Sequence, residues 1–240
     1  MKFQSLVFLL LTLLPTFAFS QQFTILHTND MHSRLLGFAP SSDYSPETIG
    51  DDATRGGFAR ISTYFEQVEQ ELDEKPLILD AGDFLMGTVF HTLEPKEGFQ
   101  LRLMKKMGYD VITIGNHEFD LGINKLGEII QSASQQGSIP TLLLSNIQFN
   151  PNEPEDNLLQ ELYHQDIIQS SHVLMYHGIK IGFFGLMGDE ATMVAPFVRP
   201  AAFTDRIVTA KEVSTYLKET EKVDMVICLS HCGVEKDKKG

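Results

Sequence analysis

Four stretches of this chain are apolar, rich in β-branched residues, and end abruptly in Asp, Asn or His. They are Phe23-Thr-Ile-Leu-His-Thr-Asn-Asp30-Met-His32, Leu77-Ile-Leu-Asp80-Ala-Gly82-Asp83, Asp110-Val-Ile-Thr-Ile114 with Gly115-Asn116-His117-Glu118 after it, and Val223-Asp-Met-Val-Ile-Cys-Leu-Ser-His231. Short apolar runs bounded by Gly and polar residues read as buried strands. Helical patterns separate the first of them. Phe58, Ile61, Phe65, Val68 and Leu72 recur at helix spacing until Pro76, a second helix fits Gly98 to Met107 with Gly108 as its cap, and a third covers Asn124 to Gln136 before a strand at Thr141 to Leu144. The resulting βαβαβαβ order favours a largely parallel sheet with right-handed crossovers. In open α/β sheets, ligands bind beyond the carboxyl ends of the strands. That edge is where each run delivers its polar side chains.

The second half changes pattern. Ser171 to Tyr176 and Ile179 to Gly185 flank His177-Gly178, which reads as a β-hairpin, and a helix from Ala210 to Glu221 leads into the last strand. An α/β fold of mixed, largely parallel sheets sandwiched between helices fits this order. Residues 1–20 stand apart: Lys2, an apolar run from Leu6 to Phe19, and the small-x-small site Ala18-Phe19-Ser20 read as a cleaved secretory signal. The apolar run is shorter than the ~20 residues of a spanning helix and contains Pro15, so no stable membrane anchor is expected. The protein is expected to be exported, periplasmic or extracellular, with residues 21–240 forming one domain.

The formal net charge of −13 excludes a surface that wraps a nucleic-acid polymer, which needs basic patches. It does not exclude a small phosphate ester held through metal cations, which reverse the local charge. The two cysteines, Cys228 and Cys232, make no disulfide framework, and Cys228 within its strand is expected to be a small buried hydrophobe.

Asp30-x-His32 offers a carboxylate and an imidazole that share a side of an extended segment, a pair suited to divalent cations. Gly82-Asp83 offers a second carboxylate, with a helix cap as its alternative use. In the tetrad, Asp120 lies three residues after His117, so a helical turn brings the two together and orients the imidazole as a general acid. Ser230-His231 follows the last strand, while His27, His91, His164, His172 and His177 are assigned to packing or solvent. Taken together, these strand ends could hold two metals about 3.5–4 Å apart that share Asp83 and generate a nucleophilic hydroxide.

These motifs, in this order, resemble the calcineurin-like metallophosphoesterases, within them the exported 5′-nucleotidase, UDP-sugar hydrolase and 2′,3′-cyclic-nucleotide phosphodiesterase branch. Arg55-Gly-Gly-Phe-Ala-Arg60, Phe119-Asp120-Leu-Gly122 and Lys180-Ile-Gly-Phe-Phe-Gly-Leu186 extend the resemblance. It implies a β-sandwich phosphoesterase fold and hydrolysis of nucleotide phosphate esters through a metal-bridging hydroxide. It also implies that Asp30, His32 and Asp83 hold the first of two divalent metals (Mn, Zn, Fe or Co), with Asp83 bridging, and that Asn116 and His231 belong to the second. His117, supported by Asp120, then assists the leaving group. The family places a Gly-His-x-His/Gln motif and a C-terminal substrate-binding domain further along, and the chain stops at Gly240 before either. The resemblance therefore implies a fold incomplete at its C-terminus. The alternatives are a non-catalytic metal-binding fragment, or a related metallohydrolase acting on cyclic nucleotides, UDP-sugars or a sulfur ester.

Overall fold

A computed structural model describes residues 22–38 and 54–233. The expected export signal at 1–20, most of the polar loop at 35–54 and the tail Lys236 to Gly240 lie outside these residues. The main elements are β1 (Ile25–Thr28), α1 (Phe58–Leu72), β2 (Leu77–Asp80), α2 (Glu94–Glu97), α3 (Phe99–Met107), β3 (Val111–Thr113), α4 (Ile123–Gln136), β4 (Thr141–Leu143), β5 (Ile147–Gln148), α5 (Asn157–His164), β6 (Ile168–Gln169), β7 (His172–Tyr176), β8 (Ile179–Met187), α6 (Asp189–Met193), β9 (Ala202–Phe203), α7 (Arg206–Glu219) and β10 (Met225–His231).

The first sheet has the order β1-β2-β3-β4-β6 and every pairing in it is parallel. The second has the order β10-β8-β7, with β10 parallel and β7 antiparallel to β8. Alternation along the first sheet sorts its side chains between two cores. Leu77, Leu79, Val111 and Leu143 turn toward Ile181, Phe183 and Leu229 of the second sheet. Ile78, Ile112 and Leu142 turn the other way, toward Phe65 of α1, Leu101 and Met104 of α3, Ile129 and Ile130 of α4, and Leu159 of α5. The outer face of the second sheet packs Phe184 and Leu186 against Leu217 of α7. Each fully buried Leu or Ile contributes about 1.5–3 kcal/mol. The layers are therefore helices, parallel sheet, mixed sheet and one helix, the β-sandwich expected from the sequence.

The hairpin forms at His177-Gly178, both with positive φ (47° and 80°), the geometry of a type I′ turn. Gly108 caps α3 in the left-handed conformation with its N–H on the carbonyls of Met104 and Lys105. Three expectations shift. The last helix starts at Arg206, not Ala210, because the Asp205 side chain accepts the amides of Ile207 and Val208 as an N-cap. The last strand runs through His231 rather than ending before it, since it pairs with β8 as far as His231↔Met187. Cys228 is exposed, not buried, because β10 lies at the edge of its three-stranded sheet.

Asp80 closes β2 fully buried. Its Oδ2 accepts the Thr28 hydroxyl at 2.6 Å, its Oδ1 accepts the Gly82 amide at 2.9 Å, and Thr28 also meets the Tyr109 hydroxyl at 2.7 Å. Burial pushes this carboxyl from 3.8 up to about 7, against the lowering effect of the Thr28 and Gly82 hydrogen bonds. Across that interval the folded chain binds a proton that the unfolded chain has released, so Asp80 contributes less stability as pH rises. Thermal melts between about pH 4 and pH 8 should show the wild-type Tm falling relative to Asp80→Asn, and parallel curves would show that the carboxyl is not perturbed.

Candidate metal centre

The candidate residues leave the strands at one end of the sandwich. Asp30 and His32 follow β1, Asp83 follows β2, Asn116 and His117 follow β3, and His231 ends β10. The first three strands are neighbours in the parallel sheet, so their exits run side by side. β10 comes from the second sheet, and the site therefore lies where the two sheets meet at their carboxyl ends.

Asp30 and His32 do not come together as alternate residues of an extended segment. Both adopt left-handed backbone, as do Ser33 and Asp83, with φ of 54°, 48°, 52° and 60° respectively. Non-glycine residues there cost about 1–3 kcal/mol each and persist only where the surroundings dictate them. The surroundings here are a backbone strap: the amides of Asp30, His32 and Ser33 donate to the carbonyls of Gly82, Asp83 and Phe84 at 3.0, 2.9 and 2.9 Å. The strap folds the β1 exit onto the β2 exit and sets His32 Nε2 3.8 Å from Asp30 Oδ1. The Asn29 side chain also donates, through Nδ2, to the Asp30 carboxylate.

The tetrad forms a 3-10 turn, His117–Phe119, and this accounts for two different side-chain fates. Residues three apart eclipse in a 3-10 turn, so His117 Nδ1 meets Asp120 Oδ2 at 2.6 Å, as the spacing predicts. Glu118, a third of a turn away, points inward and is buried. Its Oε2 accepts the amides of Asp83 at 2.9 Å and Gly115 at 2.6 Å, and its Oε1 accepts that of Leu85 at 2.9 Å. Burial, then the charge of Asp83, push its carboxyl up to about 8, while the three amides favour the ionised form. The sequence shows Glu118 beside His117 but carries no mark of this burial. The two exits approach so closely that a Cβ on Gly82 would lie 2.7 Å from the Gly115 nitrogen, and one on Gly115 would lie 2.3 Å from Asp83 Oδ1.

Asp83 occupies the middle. Its Oδ1 accepts the His117 amide at 2.9 Å and its Oδ2 lies 3.2 Å from His231 Nε2. Burial opposes its ionised form, but the His231 ring and the His117 amide outweigh burial and hold the carboxyl below its usual range. His231 Nδ1 donates to the Ala81 carbonyl at 2.9 Å and Nε2 lies 3.0 Å from Asn116 Oδ1. Burial lowers the pKa of this ring, yet the hydrogen bond and charge of Asp83, with the Ala81 carbonyl, raise it to about 9. A positive charge is thus favoured where Asp83, Asn116 and His231 converge.

Two groups have ligand atoms within 4.8 Å of one another and could each hold a metal: His32, Asp83 and His117, and Asp30, Asp83 and His231. Asp83 belongs to both. The donors are carboxylate oxygens and imidazole nitrogens, with the Asn116 carbonyl alongside, a set that suits borderline divalent cations. The Ala81 carbonyl fixes the His231 ring so that Nε2 faces the carboxylate, the orientation typical of a metal-ligating histidine. The side chains of all the candidate residues therefore meet at one centre.

A sequence model of the family described as calcineurin-like phosphoesterase matches residues 23–239. The chain belongs to this family. It is 33% identical over 230 residues to the 5′-nucleotidase of Rattus norvegicus, an alignment that covers 95% of this chain and 37% of that protein. Among solved structures, a 5′-nucleotidase precursor from Thermus thermophilus superposes with a TM-score of 0.67 at 25% identity, covering 88% of this chain and 37% of that one. The NAD nucleotidase of Haemophilus influenzae gives 0.66 at 26%, covering 88% of this chain and 34% of that one. This calcineurin-like chain therefore spans little more than a third of the length of these relatives.

Gly115→Ala should push its methyl group into Asp83 Oδ1 and displace the carboxylate common to both groups. Calorimetric titration with Mn²⁺ should then show binding weakened by at least ten-fold, with a loss of thermal stability. Wild-type affinity in this variant would show that the close approach of the two exits is unimportant.

Proposed function

We propose that this chain is the catalytic part of an exported, two-metal phosphoesterase that hydrolyses nucleotide phosphate esters, in the manner of a 5′-nucleotidase. The observation that carries this reading is the place of Asp83 in two potential ligand groups at once, which suits a carboxylate between two cations. On this reading, which takes its ligand sets from the family resemblance, Asp30, His32 and Asp83 hold the first metal, and Asn116 and His231 join Asp83 at the second; the geometric groups share the same central Asp83 but set His32 with His117 and Asp30 with His231. Divalent ions held there would polarise the phosphoryl group and lower the pKa of a water nucleophile.

The remaining roles belong to the protein. Asp120 holds His117 by Nδ1, which leaves Nε2 to face the substrate. The His117 side chain is 42% exposed, so a leaving-group oxygen can reach it without rearrangement. Asp120 thereby orients the ring for proton transfer to the leaving-group oxygen. The family supports phosphoester hydrolysis, and the similarity to 5′-nucleotidases supports a nucleotide as the substrate. Those relatives are almost three times as long as the aligned segment, and we place a substrate-binding domain in such additional length. The signal-like residues 1–20 support export, and no helix among the described residues is long and apolar enough to cross a membrane.

A second reading is metal binding without turnover. Phosphate release from a nucleoside 5′-monophosphate, measured with and without Mn²⁺, separates the two. The catalytic reading expects Mn²⁺-dependent turnover that Asp83→Ala abolishes. His117→Ala should lower kcat by about 10²–10⁴-fold, while Asp30, Asp83 and His231, the group that lacks His117, still bind Mn²⁺. Full activity in both variants would defeat the assignment. Two Mn²⁺ sites with turnover support the enzyme, and one weak site without turnover supports the second reading.

A further inference from the structure

His32 stands on strained backbone, and its neighbour Ser33 is held by partners from outside the metal centre. Ser33 is fully buried. Its amide donates to the Phe84 carbonyl at 2.9 Å, its carbonyl accepts the Thr88 hydroxyl at 2.6 Å, and its own hydroxyl accepts Gln100 Nε2 at 2.9 Å. All of its polar groups are therefore engaged, from two separate segments, the loop after β2 and α3. Gln100 lies in the first turn of α3 and is also fully buried. Its backbone amide donates to Glu94 Oε1 at 3.1 Å, and Glu94, in α2, is buried as well. Glu94 Oε2 and Gln100 Oε1 have no hydrogen-bond partner among the described residues. Burying polar side chains with half of their capacity unmet is unfavourable for folding, and such groups call for an explanation.

We propose that Glu94, Gln100 and Ser33 form a polar strut that positions His32 from behind the metal centre. The strut rests on the reading of His32 as a metal-holding residue. Gln100 is its central element: it is the side chain that links α3 to the left-handed His32-Ser33 segment, 67 residues earlier in the chain. Glu94 fixes Gln100 by accepting the backbone amide at the start of the helix. The strap to the β2 exit sets the height of the segment, and the strut sets its rotation, which decides where the imidazole points. None of the three is expected to touch metal or substrate, so they are positioning residues. Groups of this kind behind a ligating histidine typically change metal affinity by about 10–100-fold.

The test uses Mn²⁺ titration calorimetry on the chain, with thermal melts of each variant. Ser33→Ala removes a single oxygen, and Gln100→Met keeps the volume but removes the donor. Each should weaken Mn²⁺ binding about 10–100-fold. Because both act through one hydrogen bond, the double variant should be no weaker than the poorer single one. Added to His32→Ala, Gln100→Met should have no further effect on affinity. If His32→Ala weakens binding while Ser33→Ala and Gln100→Met bind as the wild type does and lose only thermal stability, the strut is overturned and the metal reading stands. If His32→Ala itself binds Mn²⁺ like the wild type, the metal reading fails and the strut falls with it.

Discussion

Three backbone amides from two different strand exits converge on the buried carboxylate of Glu118, and the geometry of the metal centre depends on that convergence. Parallel strands bring their exits alongside one another but do not fix the distance between the loops that follow. Glu118 does so by accepting Asp83 and Leu85 from the β2 exit and Gly115 from its own. Three hydrogen bonds on one buried side chain suit a clamp that must hold a tight approach, since a buried amide left without its partner costs about 1–3 kcal/mol. Close approach also demands glycine at the contact, and Gly82 and Gly115 supply it. Only with the loops so spaced can Asp83 accept the His117 amide and still turn its other oxygen to His231. One carboxylate organises the backbone and another collects the side chains.

The centre is also where the backbone is least relaxed. Asp30, His32, Ser33 and Asp83 share the left-handed region, and each is held there by a hydrogen bond or packing contact that begins in a neighbouring loop. Strain of this kind is compatible with a site that needs its ligands held before the ion arrives, since a preorganised group loses less freedom on binding. The cores on either face of the first sheet supply the stability that makes such local cost tolerable.

Much of this was legible because the strands are short, apolar and bounded by polar residues that a buried sheet cannot absorb. The alternation of strands and helices, the hairpin at His177-Gly178 and the His117–Asp120 pair follow from periodicities in the sequence. Extended backbone would set Asp30 and His32 on one side of a strand, but they meet because a strap of tertiary hydrogen bonds holds both in left-handed conformations. Glu118 was invisible as a clamp because its partners are backbone amides, which have no residue type to read. The same holds for Gln100 and Glu94: their partners lie far away in sequence, and nothing local marks a polar residue as buried. Cys228 was misplaced because burial of a strand residue depends on whether a neighbour covers that edge, and pattern alone does not specify the neighbour.

The net charge sharpens the functional reading. A chain of −13 that gathers Asp30, Asp83 and Asp120 around one centre repels a phosphate ester unless something reverses the local sign. Among the described residues at the centre the cationic candidates are imidazoles, and His117 is paired with Asp120 while His231 is paired with Asp83. Those pairings leave little net positive potential for an anionic substrate. Divalent cations change this balance at the point where charge matters most. On the proposed reading the ligands that hold the metals are therefore also the means of attracting the substrate, and binding of nucleotide and binding of metal become one linked equilibrium. On that reading the dependence on metal extends from the chemical step to the first encounter with substrate.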